Sequence, residues 1–145
     1  MPSTTECRVH RLVADIAVLA QGQVLMVKYR DTSRYDQQRG WFLPDDYLQY
    51  LEHPADGVRR IAREQAGLDL GDIRLADLES FGNGWWHLAF HYAAALDHLP
   101  TATPGANVAA AEWFDLNRLP DSADVAHEGW ALEVLQRVLG EPAAR

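Results

Sequence analysis

The chain has a single cysteine, Cys7, among its 145 residues. One cysteine excludes an internal disulfide and a multi-cysteine zinc centre. Cations are scarce too: 13 Lys and Arg stand against 21 Asp and Glu, a formal charge of −8. Nucleic acids and anionic membranes are polyanions, so this balance argues against a nucleic acid polymer or a membrane surface as partner. A single nucleotide stays open, because a few local cations suffice for it. Long apolar runs are missing. The longest near the start, Ile16 to Ala20, is far too short to cross a bilayer. Residues 1–11 lack the apolar core of a signal peptide, so a reduced, cytoplasmic setting is the expectation. Repeats and low-complexity stretches are absent as well. What is present is ordinary globular material, 48% apolar and 23% charged. It suits one domain over residues 1–145, with loose ends at about 1–6 and 141–145. A chain of this length buries roughly two-thirds of its unfolded surface.

Local pattern predicts an α+β domain with one sheet and two main helices. Val9 to Ala20 and Val24 to Tyr29 read as strands joined by the Gln21-Gly22 turn. Arg30 to Gly40 reads as a polar loop. Trp41 to Leu43 reads as a short strand stopped by Pro44, and Tyr47 to Leu51 as another. A helix is predicted from about Ala55 to Ala66, with Pro54 near its start and Gly67 as its stop. Ile73 to Phe81 and Trp85 to Ala95 read as strands around the turn signal Gly82-Asn83-Gly84. Leu96 to Ala106 is a loop and Val108 to Phe114 the last strand. The second helix is predicted from about Ala126 to Leu139. Its apolar stripe is Trp130, Val134, Leu135 and Val138.

Residues 41–68 carry the chemical information. They read Trp41-Phe42-Leu43-Pro44-Asp45-Asp46, then Glu52, then Arg60-Ile61-Ala62-Arg63-Glu64-Gln65-Ala66-Gly67-Leu68. Residues 46–68 resemble the Nudix box, G-x5-E-x7-R-E-U-x-E-E-x-G-U with U aliphatic, and residues 41–46 resemble its W-x-L-P-G-G lead-in. Glu52 stands eight residues before Arg60, as the motif requires, and Gly67-Leu68 closes the box at the right distance. Glu112 to Leu116 with Leu119-Pro120 resembles the W-F-x-L-x-x-L-P stretch near the end of Nudix domains. The resemblance implies an α/β/α sandwich with a mixed sheet between helices. It also implies a Mg²⁺- or Mn²⁺-dependent hydrolase of a nucleoside diphosphate linked to another group. Glu64, Glu52 and Arg60 are the catalytic candidates on that basis, with Glu52 and Arg60 an ion pair that ties loop to helix.

The sequence departs from the family where metal would bind. The box places three carboxylates on one helical face, at positions occupied here by Ile61, Glu64 and Gln65. Mg²⁺ takes oxygen ligands, usually carboxylates with waters and phosphates. Only Glu64 is a carboxylate, and Asp45-Asp46 replace the opening glycines. Two readings follow. In one, the metal site is degenerate and activity is weak or absent. In the other, Asp45 and Asp46 join Glu64 as metal ligands and rebuild it. On the first reading, Ile61→Glu with Gln65→Glu would restore the ligand set.

On the strand 85–95, alternation places Trp85, His87, Ala89 and His91 on one face. Trp86, Leu88, Phe90 and Tyr92 lie on the other, the predicted core face, and are expected to be more buried than the two histidines. His87 and His91 lie about 13 Å apart along a strand and cannot share a metal. Trp85 and His87 are candidates to stack on a base, with an exposed edge or a homodimer contact as the other reading. Lys28 and Arg30 are candidates for phosphate contacts, with plain solvation as the other reading. Trp41, Trp113 and Trp130 are expected in the core. His127 and Glu128 have no motif behind them, and no Ser–His–Asp or Cys–His signature stands out. The function expected is therefore a nucleotide pyrophosphohydrolase with a degenerate site. The alternative is a non-catalytic module for a nucleotide-like small molecule or a protein partner.

Overall fold

A computed structural model describes residues 10–82 and 84–140. The loose ends expected at 1–6 and 141–145, and Asn83 of the turn signal, lie outside the described residues. The elements in chain order are β1 (His10–Ala20), β2 (Gln23–Tyr29), β3 (Asp45–Tyr47), α1 (Pro54–Ala66), β4 (Arg74–Gly82), β5 (Trp86–Leu96), β6 (Val108–Asp115) and α2 (Ala126–Leu139). The sheet runs β4-β5-β1-β2-β6. β1 and β5 are parallel along their whole length, and the other pairs are antiparallel. The second edge of β1 is shared: Leu19 and Ala20 pair with β2, while Val13 to Asp15 pair with β3.

Period-two alternation sends neighbouring residues to opposite faces, and a helix covers each face. Ile16, Val18, Leu25, Tyr92 and Ala94 pack on one side with Val58, Ile61 and Ala62 of α1. Ala17, Val24, Met26 and Ala93 pack on the other with Val134, Leu135 and Val138 of α2. The result is an α/β/α sandwich around a mixed sheet. α1 starts at Pro54, where the His53 ring accepts from the Ala55 amide at 3.0 Å. It stops at Gly67, whose φ of 68° is the left-handed conformation glycine adopts cheaply.

Three expectations are corrected. The strand expected at 47–51 is shorter and earlier, at Asp45–Tyr47, because its pairing with β1 decides its extent. The predicted helix from 126 does not begin regularly there. His127, Glu128 and Gly129 have φ of 54°, 56° and 94°, a left-handed turn, and the regular helix follows it. This segment is pinned from outside: Trp41 O accepts from the Ala126 amide at 3.0 Å, and Gln38 Oε1 accepts from the His127 amide at 2.9 Å. Third, His91 is fully buried whereas Trp86 is 43% exposed. The assignment of faces holds, but helices cover both. Burial therefore follows position along β5, and its first residues project past the helices.

Candidate functional site

The box residues form a tightly committed unit. Arg60 grips Glu52 with two hydrogen bonds, Nε to Oε2 at 2.8 Å and Nη2 to Oε1 at 3.0 Å. The same guanidinium donates to Glu64 Oε2 at 3.2 Å and to the Tyr47 carbonyl at 3.1 Å. The Arg60 hydrogen bonds hold the Glu52 carboxyl below its usual range. Glu52 and Gln49 close the loop through a 3.0 Å bond from the Gln49 amide. Ile61 is 0% exposed and belongs to the α1-side core. Gln65 is buried, and its amide bridges helix to loop: Oε1 accepts from the Tyr29 hydroxyl at 2.8 Å, and Nε2 donates to the Asp45 carbonyl at 2.8 Å. The Tyr29 hydroxyl in turn accepts from the Asp45 amide at 3.1 Å.

A cavity of about 720 Å³ opens elsewhere, on the sheet face that α2 covers. Its walls come from β1, the loop at 33–36, β3, β4, the start of β5 and the first turns of α2. Six aromatic rings line it: Tyr35, Phe42, Tyr47, Phe81, Trp85 and Trp130. Of the candidates from sequence, Asp45, Asp46, Trp85 and His87 line it. Glu52, Arg60 and Glu64 lie outside it, as do Lys28 and Arg30. Lys28 Nζ instead sits 4.7 Å above the Trp41 ring, and Arg30 is exposed. The structure therefore brings the aspartates together with the aromatics, and leaves the box glutamates in a separate place. Among the described residues no three His, Cys, Asp or Glu side chains converge as metal ligands would.

The cavity is acidic. Asp36, Asp45, Asp46, Glu79 and Glu133 line it against two guanidiniums, those of Arg11 and Arg34. Both cations are engaged. Arg34 pairs with Asp46 at 2.8 Å, and Arg11 lies 4.2 Å over the Trp85 ring and donates to the Tyr47 hydroxyl at 3.2 Å. Asp36 pairs with His127 Nε2 at 3.0 Å. Asp45 is different. It is 8% exposed, and no described side chain bonds its carboxylate. Burial, with the charges of Asp15 and Asp46 adding, pushes that carboxyl well above the usual range.

Behind the cavity floor lies a buried charge network. His91 Nδ1 donates to Asp15 at 2.8 Å and Nε2 donates to Glu79 Oε1 at 2.6 Å. Burial alone would lower the His91 pKa, but Asp15 and Glu79 overcome it and raise it to about 9. Arg137 adds ion pairs to Asp77, at 3.0 Å, and to Glu79. Sequence reasoning passed over Arg11, Tyr35, Asp36, Tyr47, Glu79, Phe81, His127 and Glu133. It placed Trp130 in the core, yet Trp130 packs there and lines the cavity as well. One signal was available: Asp15 interrupts the apolar run from Leu12 to Ala20, and a buried charge needs a partner.

This sheet, sandwiched by two helices with a loop–helix–loop tied by Glu52 and Arg60, is the architecture the box resemblance implied. A family model described as NUDIX domain matches residues 9–137, and the chain belongs to the Nudix family. Similar solved structures include a MutT NUDIX hydrolase from Burkholderia pseudomallei, 22% identical, covering 88% of this chain and 97% of that one with a TM-score of 0.72. The NUDIX domain of NrtR from Shewanella oneidensis, complexed with ADP ribose, is 16% identical over 94% of this chain and 90% of that one, TM-score 0.73. A bifunctional NMN adenylyltransferase/ADP ribose pyrophosphatase from Francisella tularensis, complexed with AMP and a manganese ion, is 14% identical over 88% of this chain and 41% of that one, TM-score 0.71. At these identities the likeness shows the fold. No curated protein matches the sequence.

Proposed function

We propose that this Nudix-family chain binds a nucleotide-like small molecule in the aromatic cavity and has little or no metal-dependent pyrophosphohydrolase activity. The observation that carries the reading is the fate of the box positions. Ile61 is sealed in the core, and Gln65 spends both ends of its amide on Tyr29 and Asp45. Glu64 is left, and it is paired with Arg60. Mg²⁺ or Mn²⁺ needs several hard oxygen donors converging on one point, and this donor set does not fit. The rebuilt site meets its own obstacle. Asp46 is held by Arg34, and Glu64 lies outside the cavity that Asp45 lines, so Asp45 stands as a single carboxylate where a divalent ion needs several.

Binding finds support in the cavity itself. Its volume lies in the range of small-molecule sites, and its walls combine six aromatic rings with charged side chains. Bases stack on such faces with little sequence preference. The nucleotide ligands of the NrtR domain and of the Francisella enzyme are compatible with this class.

The test is a phosphate-release screen over nucleoside triphosphates, ADP-ribose and dinucleotides with Mg²⁺ or Mn²⁺. A melting series with the same panel without metal accompanies it. The expected outcome is no metal-dependent turnover and a melting shift that needs no metal. Robust turnover, abolished by Glu64→Gln and by Asp46→Gly, would overturn the reading in favour of a rebuilt site.

A further inference from the structure

We propose that the cavity selects a planar aromatic cation, such as a ring bearing an amidinium or a quaternised nitrogen, with its charge placed against Asp45. The inference rests on the reading of this cavity as the ligand site and goes further by fixing the charge of the part that enters. Three observations carry it. First, Asp45 is more than nine-tenths buried, lines the cavity, and has a carboxylate that no described side chain bonds. Its backbone is fully used, with the amide on Tyr29 and the carbonyl on Gln65. The side chain alone is left over. A buried carboxyl without a partner costs free energy that a complementary ligand group recovers.

Second, the walls carry five carboxylates against two guanidiniums; Arg34 is paired with Asp46, and Arg11, over the Trp85 ring, has no described carboxylate partner and a buried Nε without a hydrogen bond. Beside Asp45 an anionic group would meet the charges of Asp15, Asp46 and Asp36 against that of His91, whereas a cation would relieve the excess. Third, the rings already hold cations. The Arg11 guanidinium lies 4.2 Å over Trp85 and 5.4 Å over Tyr47, and Arg34 lies 5.9 Å over Tyr47. Aromatic faces attract flat cations through the ring quadrupole. Phe42 and Trp130 line, together with Asp45, both the cavity and a second, small void. They offer the same chemistry beside the free carboxyl.

Three isosteric probes of different charge separate the possibilities: benzamidine, benzamide and benzoate. Each is titrated into the intact, metal-free protein and followed by calorimetry and by tryptophan fluorescence, which Trp85 and Trp130 supply. Benzamidine is expected to bind about tenfold or more tightly than benzamide, and benzoate more weakly than either. In Asp45→Asn, benzamidine is expected to fall to the affinity of benzamide, while benzamide is unchanged. That variant loses no side-chain hydrogen bond, so its melting temperature is expected to match or exceed the parent's. Equal binding of benzamidine and benzamide by the parent would overturn the proposal and leave the ring site standing. So would a preference for benzamidine that survives Asp45→Asn. If none of the three binds and no nucleoside shifts the melting curve, the proposal and the ligand-site reading fail together. The charge series on the parent protein needs no variant, so the proposal can fail even if Asp45→Asn does not fold.

Discussion

A carboxylate at position 65 would have nothing to donate. Gln65 joins Tyr29 to Asp45 because its amide accepts at one end and donates at the other. Gln65→Glu would aim a negative oxygen at the Asp45 carbonyl inside the protein. The expected cost is about 2–4 kcal/mol in urea unfolding, the range for stranding a buried polar group. Ile61→Glu buries a charge among Val58, Ala62 and Tyr92, and more than about 4 kcal/mol is expected. The pair of changes that would complete the box is therefore expected to yield an unfolded chain, readable by circular dichroism, and not a restored metal site. A Glu at 61 in a folded, Mg²⁺-binding variant would contradict this expectation. Both departures from the box are plain in the sequence. Their reason is not, because the groups that occupy Gln65 stand 36 and 20 residues away. The same holds for His91, whose burial depends on carboxylates at 15 and 79.

Among the elements, those with a local cause were legible. α1 has Pro54 and Gly67 as punctuation and Val58, Ile61 and Ala62 as its stripe. The long strands have two-residue alternation. β3 has neither, since three residues pair only because β1 offers an open edge there. The left-handed turn at 127–129 escaped for a similar reason: residues 38 and 41 impose it from across the molecule. That turn allows a test by glycine exchange. Glu128 carries a side chain at φ 56°, so Glu128→Gly is expected to be neutral or stabilising by up to about 1 kcal/mol. Gly129→Ala adds a Cβ 3.0 Å from Ser122 Cβ at φ +94°, and a loss of about 1–3 kcal/mol is expected. Chemical denaturation midpoints of the two variants should move in opposite directions or only the second should move. A destabilised Glu128→Gly would mean that the turn is held by a side-chain contact of Glu128 and not by its neighbours.

Across the whole molecule, one network fastens β1, β4, β5 and α2 through Asp15, Glu79, His91, Asp77 and Arg137. His91 titrates near 9 in the folded chain against an ordinary 6.5. Its protonated form therefore favours folding. The contribution is complete below about pH 6.5 and disappears as the pH rises through about 9, roughly 3 kcal/mol in all. Melting temperature is expected to fall across that window, and His91→Gln is expected to flatten the profile at a lower level. A flat profile in the parent would sink the assignment of an imidazolium at the core. The parallel pairing that brings Asp15 to His91 also has a temporal side. Every partner on β1 stands 76 residues before its mate on β5. Loop closure over such a distance precedes any reward from contact, so refolding should be slow for the chain's size. During synthesis, β1 must wait for β5 to be made, roughly 4–15 s at ordinary elongation rates. For that interval the central strand of the sheet is a nascent segment with one side unclaimed, and the cell's holding chaperones have their opportunity there.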